Sequence, residues 1–482
     1  MIRPSLRSLG VLVVLAIGCA LPLVARGEKA ETAAPANSGR LLAFFAPEEP
    51  RDGLAPEQAA MIDRAIDAYH RRAGYASTPK VGEPVAFPFF PQAGILGRDL
   101  FLNNFTDQDP ASGLVRDWDC SEYTYDGHQG HDSLIRSFRE QAIGVPIFAV
   151  LPGTVVDTHD GEPDMNTVWD PDNRANYVVL DHGGGLTTLY LHMRSGSVAV
   201  APGEAVTAGT QLGLTGSSGF SDWPHLHLET RQDNRWIEPS TGPCRSGASM
   251  WESQPPVFRD GYVADAYLTR GPVLILDPGD YLRDEAPRAG SFLKGRQPVG
   301  VRLDFRNLPP RAALVIRVLD PRKHEVVSIS GSFANRAVQH LSVVTFGFDL
   351  ALETVGTWRF VADVEGMQRI DMPFKVVTNT AQLGNRKPNK VTATLTPRSP
   401  IEGRVLTCTV NASAISEDPD YDVVGFRYDW RVNGRLVRSA TSAASTDLLA
   451  AGVASPGDKV QCKVTPTDLR SFGPTATAVA RD

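Results

Sequence analysis

The sequence predicts a mainly β protein, with an antiparallel β-sheet domain followed by two β-sandwich domains. Apolar and polar residues alternate over many short runs, which is the pattern of half-buried strands. Gly, Pro and Asn break the chain between these runs. Only residues 56–72 and 133–141 show helical spacing of apolar side chains. A length of 482 residues allows two to four domains.

The N-terminus has the pattern of an export signal. Basic residues precede the apolar run 9–25, and Ala25 and Gly27 supply the small residues of a cleavage site. We therefore expect a signal peptide over residues 1–27 and a periplasmic or extracellular protein. Two alternatives stay open, a retained membrane anchor and a lipoprotein attached through Cys19. Without lipidation at Cys19, no membrane contact is expected after cleavage.

Four further cysteines would lie in an oxidising compartment, where disulfides form. Four cysteines allow three pairings, and their positions favour Cys120–Cys244 and Cys408–Cys462. A zinc–thiolate site is the alternative, but no two of them form a Cys-x-x-Cys pair. Each favoured disulfide would lie within one domain.

Residues 28–80 are predicted to be a tether that carries one short amphipathic helix. Residues 28–54 are rich in Ala, Pro, Glu and Gly without periodicity. Over residues 56–72, apolar side chains recur at helical spacing behind Pro56, which suits a first helical turn.

Residues 81–250 are predicted to form the antiparallel β domain. Its clearest strands are expected at 147–150, 153–156, 177–180, 186–191, 198–200, 211–214 and 226–228. The loop 157–176 has many acidic and amide side chains but lacks the regular spacing of a calcium loop. A solvated insertion is the favoured interpretation.

The remaining residues are predicted to form two β-sandwich domains. Residues 255–377 contain alternating strands without clustered titratable groups. In residues 391–482, three alternating runs place Cys408, Trp430 and Cys462 on inner faces, and an Asn-Gly pair supplies a hairpin turn. This last segment resembles an immunoglobulin-like or PKD-like domain with a disulfide crossing the core beside the tryptophan.

The histidines are concentrated in one part of the chain. Seven of the ten lie within residues 128–227, where an even spread would place about two. His225 and His227 share one face of a predicted strand, while Leu226 and Leu228 face a core. Two imidazoles on one rigid face can bind a metal ion.

Three more groups make a complete hydrolytic set. His128 and Asp132 lie in a glycine-flanked segment, and His192 ends a predicted strand. A zinc hydrolase needs three protein ligands and an open position. The sequence offers five candidate groups, two more than the three ligands that the metal needs: His128, Asp132, His192, His225 and His227. The two others can serve as general base and as stabiliser of an oxyanion, which suits peptide hydrolysis.

Four motifs in order resemble the lysostaphin/LytM-type zinc endopeptidases. They are Gly-His-Gln-Gly-His-Asp at 127–132, Leu-Tyr-Leu-His at 189–192, Gly-Thr-Gln-Leu-Gly-Leu-Thr-Gly-Ser-Ser-Gly at 209–219 and Pro-His-Leu-His-Leu-Glu at 224–229. The resemblance covers roughly residues 120–230, about a quarter of the chain.

This resemblance implies one zinc ion per chain, held by His128, Asp132 and His227. It implies that His192 and His225 are the catalytic pair that does not bind metal. It also implies a groove across a β-sheet in which peptide bonds of peptidoglycan cross-links, or of glycine-rich peptides, are cleaved.

Two features depart from the family pattern. His131 stands where a small or apolar residue is usual, and a surface histidine or one beside the site is favoured over a metal ligand. The segments 133–143 and 157–176 are longer than typical and are expected to wall the groove. His182 is expected to serve a hairpin rather than the metal.

The alternative function is that of a non-catalytic relative that binds the cell wall or activates another hydrolase. Degenerate members of this kind lack metal ligands, whereas this chain has all five groups. A net charge of −7 gives no reason to expect a nucleic-acid partner. The sequence therefore favours a secreted zinc endopeptidase with peptidoglycan peptides as its partner.

Overall fold

The structure is a computed structural model that describes residues 38–45, 52–74, 86–275, 279–283, 287–412 and 417–480. The predicted signal peptide, its alternatives and Cys19 lie outside these residues. Among the described helices, none has the length and apolar character needed to cross a membrane.

Three elements precede the first domain: β1 (Ser38–Phe45), β2 (Asp52–Gly53) and α1 (Pro56–Ala73). The helix is where the sequence predicts it, with Pro56 in its first turn. It ends at Gly74, whose φ of 72° is in the left-handed region that favours glycine. Ile62 and Ile66 are fully buried.

An eight-stranded antiparallel sheet dominates the first domain. The elements are β3 (Phe101–Asn104), β4 (Gly130–Leu134), α2 (Phe138–Ile143), β5 (Pro146–Phe148), β6 (Gly153–His159), β7 (Tyr177–Asp181), β8 (Leu186–Leu191), β9 (Ala205–Val206), β10 (Gln211–Leu214), β11 (Phe220–Ser221), β12 (His225–Gln232) and β13 (Arg235–Trp236). The strand order is β3-β4-β12-β8-β7-β6-β9, with β13 paired to β12. Strand β5 pairs with β10.

Two local predictions for this domain are wrong. Residues 198–200 form no strand; their apolar side chains, Val198 and Val200, pack onto the core from a loop. The helix expected at 133–141 begins only at Phe138, because Ser133 and Leu134 belong to β4. Pairing of β4 with β12 therefore overrides the helical spacing of the segment.

The second domain is a sandwich of two sheets. Its elements are β14 (Tyr262–Thr269), α3 (Asp280–Arg283), β15 (Ser291–Leu293), β16 (Gly295–Leu308), β17 (Ala313–Leu319), β18 (Glu325–Ser332), β19 (Gln339–Leu352), β20 (Gly356–Val364) and β21 (Ile370–Val377), followed by a 3₁₀ turn at Thr380–Leu383. The sheets have the orders β1-β19-β16-β14 and β15-β21-β20-β17-β18.

The tether predicted over residues 28–54 is wrong for two segments. Strand β1 pairs antiparallel with β19 of the second domain, and β2 pairs with β11 of the first. The edge of β19 satisfies backbone groups of β1 by hydrogen bonding. Composition did not reveal these strands, because their partners lie far away in the sequence.

The third domain consists of β22 (Ala393–Thr396), β23 (Leu406–Val410), β24 (Gly425–Val432), β25 (Arg435–Ser442), β26 (Thr446–Leu449), β27 (Val460–Thr467) and β28 (Ala476–Ala480). Its sheets are β22-β23-β26 and β25-β24-β27-β28. Cys408 and Cys462 form the predicted disulfide between the two sheets. Trp430 lies opposite Cys462 on the neighbouring strand. Asn433 and Gly434, both with positive φ, make the predicted hairpin turn.

Both later domains share buried clusters with the first. One cluster joins first-domain side chains to second-domain ones: Phe101, Leu134, Phe138 and Trp223 with Tyr281, Leu282, Leu341 and Val343. Another joins the first domain to the third: Ala93, Leu100, Ile135, Val145 and Phe148 with Val423, Ala443, Ala444 and Leu448. The first domain is also closed by the predicted Cys120–Cys244 disulfide.

Candidate metal centre

The candidate metal centre lies on one face of the central strands. Within β12, His225 and His227 point to this face because side chains alternate along a strand. Leu226 and Leu228 point to the opposite face and join the domain core. Strand β4 places Asp132 directly across from His227. The strand period therefore separates the polar face from the apolar core, as the sequence predicts.

Three side chains converge closely enough to hold one ion. Asp132 Oδ1 lies 3.2 Å from His128 Nε2 and 3.0 Å from His227 Nδ1. The two imidazole nitrogens are 3.3 Å apart. Ligand atoms about 2.1 Å from a tetrahedral zinc ion are roughly 3.4 Å from one another. The spacing and the donor set of two imidazoles and one carboxylate therefore fit zinc.

These groups are buried: His128, Asp132 and His227 are at most 4% exposed. Burying ionisable side chains is unfavourable unless they are paired or coordinate a metal. The grouping of His128, Asp132 and His227 is the one set of three or more potential metal ligands found in the part of the chain that the structure describes.

Two contacts orient the metal-facing atoms. His128 Nδ1 lies 2.7 Å from the carbonyl oxygen of Phe105, so Nδ1 carries the proton and Nε2 faces Asp132. Asn104 Nδ2 donates to Asp132 Oδ2 at 2.8 Å, while Oδ1 faces the imidazoles. Both supporting residues end or follow β3, which pairs with β4.

His192 and His225 form a second imidazole pair beside this group. Their ring centroids are 4.6 Å apart. His192 Nδ1 lies 2.7 Å from the carbonyl oxygen of Ser218, and His225 Nδ1 lies 2.7 Å from that of Trp223. Because a carbonyl only accepts, Nδ1 of each neutral ring is the protonated nitrogen and Nε2 has the lone pair. His225 Nε2 is 3.7 Å from Asp132 Oδ1.

The backbone at His192 is held in an uncommon conformation. Its φ of 60° lies in the left-handed region, which is rare for a residue with a side chain. It directly follows β8, and its ring is fully buried. This bend turns the imidazole toward His225.

A pocket of about 320 Å³ leads to the metal group. Its walls come from the segment before β4, from β12 and β13, and from α1 and the residues just before it. They include Tyr125, His128, Gln129, His227, Glu229, Arg231, Trp236, Leu54, Ala59 and Asp63. Helix α1 therefore closes one side of the expected groove.

Helix α1 packs on the same sheet face as the metal group. Ile62 and Ile66 contact a cluster that includes Leu189 and Leu191 of β8. Leu191 lies opposite His227, so the apolar surface under the helix continues directly into the metal centre. An ion pair between Asp63 and Arg231, 2.7 Å between the charged atoms, fixes the helix at the end of the pocket.

His131 and His182 are not part of the metal group. His131 is fully buried, which excludes the solvent-facing alternative and leaves the alternative of a histidine near the site. It lies on the opposite face of the sheet. Its Nε2 is 2.9 Å from Glu238, and its ring packs edge-on against Phe105. His182 contacts the Pro152 carbonyl and Thr188 next to the turn between β7 and β8.

The supporting residues were not foreseen from the sequence. Asn104 had a weak signal, since an amide side chain follows the apolar pair Phe101-Leu102 at the end of a short strand. No sequence signal indicated Glu238 or Phe105, because their contacts join residues that are distant in the sequence. The insertion 157–176 adjoins the site through Asn166, which hydrogen-bonds Gly219 at 2.8 Å.

Part of this chain is similar in sequence to known proteins. Residues 129–239 match the sequence model of Peptidase family M23. The chain is 34% identical over 87 residues to the peptidoglycan DD-endopeptidase ShyA of Vibrio cholerae, covering 18% of this chain and 17% of that protein. It is 31% identical over 98 residues to an uncharacterized metalloprotease of Haemophilus influenzae, covering 20% and 18%.

A solved structure is also similar to part of the chain. The catalytic domain of the antimicrobial peptidase lysostaphin from Staphylococcus simulans is 20% identical, with 30% of this chain and 89% of that chain covered and a TM-score of 0.20. The chain spans less than a fifth of the length of the two sequence relatives above. The matched residues include Asp132, His192, His225 and His227 of the candidate site. This part of the chain is therefore similar to Peptidase family M23.

Proposed function

We propose that the protein is an exported zinc endopeptidase that hydrolyses peptide bonds in peptidoglycan cross-links. The observation that carries the proposal is the convergence of His128, Asp132 and His227 beside two imidazoles with fixed Nδ1 protons. The name of the Vibrio cholerae relative, a peptidoglycan DD-endopeptidase, supports the substrate class.

The metal would be held by His128, Asp132 and His227. A zinc ion in such a site supplies a water of pKa about 7 and polarises the scissile carbonyl. The protein contributes a rigid sheet face, so the ligands are in place before substrate arrives. One group of three ligands accounts for one zinc per chain.

His192 and His225 would handle the protons and the developing negative charge. Each has its Nε2 turned away from its anchoring carbonyl. A neutral imidazole with Nδ1 protonated accepts a proton at Nε2, and the protonated ring then donates it to the leaving amine. The imidazole that does not take the proton can hydrogen-bond to the oxyanion. The pair therefore supplies a base and a stabiliser.

A non-catalytic role is not favoured, because the protein retains all five groups in one buried cluster. Export and an extracytoplasmic location are part of the proposal, since cross-linked peptidoglycan lies outside the cytoplasm. They are supported by the N-terminal pattern at residues 1–27 and by the two disulfides.

Digestion of purified sacculi, followed by mass spectrometry of the released fragments, tests the proposal. We expect cross-linked muropeptides to be converted to uncross-linked ones by wild-type protein and not by His225→Ala. Release of sugar-cleaved fragments, or no release by zinc-loaded wild type from any sacculus, would contradict it.

A further inference from the structure

The turn that orients His225 contacts both the first and the second domain. The carbonyl oxygen of Trp223 is the group that His225 Nδ1 contacts at 2.7 Å. This residue lies two positions before His225, in the turn between β11 and β12. Any movement of the turn would therefore move or rotate the imidazole.

Within the first domain, two hydrogen bonds join this turn to Ile135, directly after β4. Trp223 Nε1 donates to the carbonyl oxygen of Ile135 at 2.8 Å, and the Ile135 amide donates to that of Pro224 at 3.1 Å. These two bonds clamp the turn to the end of β4. They fix its backbone, but they leave one side of the indole to be covered by other residues.

The second domain covers that side. The ring of Tyr281 in α3 packs against the indole with centroids 5.0 Å apart. The guanidinium of Arg306 in β16 lies 5.9 Å from the indole centroid and 5.7 Å from the ring of Phe101. Leu341 also joins the shared cluster. Trp223 is 2% exposed as a result.

Arg306 is an unusual residue for a packing role. It is 3% exposed, and burial lowers the pKa of its guanidinium. Its contacts with Trp223 and Phe101 are of the cation–π kind, which gain strength when water is excluded. A buried cation between two first-domain rings makes this interface specific rather than a generic apolar contact.

We propose that the second domain is a positioning part of the active site, which acts on His225 through Trp223. The inference rests on the proposed catalytic role of His225. The second domain then determines turnover directly, in addition to any effect on substrate binding. A shift of about 1 Å in a catalytic group can lower turnover as much as 100-fold.

Tyr281→Leu in the full-length chain tests this inference, because it removes the ring on the indole but leaves an apolar side chain. We expect kcat to fall about 10- to 100-fold, with KM and one zinc per chain retained. Tyr281→Phe keeps the ring and should restore most of kcat. Trp358→Phe is the matched control: it alters the buried core of the same domain, where Trp358 packs on Phe374, away from Trp223.

A second readout does not depend on catalysis. The amide of His225 donates to the Gly216 carbonyl at 2.9 Å, so its hydrogen exchange reports on the turn. Exchange should accelerate in Tyr281→Leu and not in Trp358→Phe. Unchanged exchange in Tyr281→Leu, or equal losses of kcat in Tyr281→Leu and Trp358→Phe, would overturn the inference. An inactive wild type with accelerated exchange in Tyr281→Leu would overturn the proposed function instead.

Discussion

The first and third domains use the same alternating strands to bury different chemistry. On β24, Tyr428 and Trp430 are fully buried and pack in an apolar core with the disulfide. On β12, His225, His227 and Glu229 are also at most 4% exposed, and they share one face. Burial of the aromatic rings stabilises the fold by itself.

Burial of the ionisable side chains on β12 destabilises the fold instead. Such groups lose hydration and are tolerated only when paired or bound to a metal. The comparison teaches that burial alone does not separate structural from functional strands. The chemical character of the buried side chains distinguishes the two kinds of strand. The variants below lie in both domains and are ordered by their expected effect on turnover.

His227→Ala should abolish both zinc binding and activity, because it removes one of the three proposed ligands. Zinc content by elemental analysis and turnover on cross-linked muropeptides are measured on the same preparation. His182→Ala is the matched histidine control, since His182 lies at the β7–β8 turn, and it should retain both. A His227→Ala protein with full zinc would place the metal elsewhere.

His225→Ala and His192→Ala should keep most of their zinc and lose about 10²- to 10⁴-fold in turnover, the range for removing a positioned proton-transfer group. The same two measurements decide between ligand and base. If His225→Ala were the metal-free variant while His227→Ala retained zinc, the assignment of these two residues would be reversed.

Asn104→Ala should weaken zinc binding about 10- to 100-fold, the usual effect of removing a group that orients a ligand. The reason is the lost hydrogen bond to Asp132 Oδ2. Competition with a chelator of known affinity measures the dissociation constant, and turnover at saturating zinc should recover most of its value. An unchanged dissociation constant would show that β4 alone fixes the carboxylate.

The double variant Cys408→Ala/Cys462→Ala should have the smallest effect on turnover, less than about twofold at 25 °C. The 54-residue separation of these cysteines predicts a stability loss of about 4 kcal/mol. Calorimetry measures the unfolding of this domain beside the turnover assay. A tenfold loss of turnover in folded protein would mean that the third domain shapes the site.

Local patterns made much of this architecture predictable. The alternation at residues 225–228 separates two imidazoles from two leucines without knowledge of the fold. Spacing and compartment likewise favoured both disulfide pairs, and the helical stripe of Ile62 and Ile66 located α1. In each case, the signal lies within a few residues or in a small set of alternatives.

Long-range contacts were not predictable in the same way. The stripe on α1 shows that the helix has a buried face but not that the face covers Leu191 beside the metal centre. Strand β1 carries no mark of its pairing with β19. The contact of Tyr281 with Trp223 joins two domains that the sequence predicts as separate segments of the chain. Such contacts depend on how distant segments fold together.

Stoichiometric restoration of the metal-free protein tests the central claim most directly. Zinc is removed from the full-length protein with a chelator and returned in steps, while bound zinc and turnover are recorded together. The account predicts that turnover is lost on removal, rises in proportion to bound zinc and saturates at one equivalent per chain. Turnover that survives complete removal of zinc, or that continues to rise well beyond one equivalent, would contradict a single catalytic zinc held by His128, Asp132 and His227.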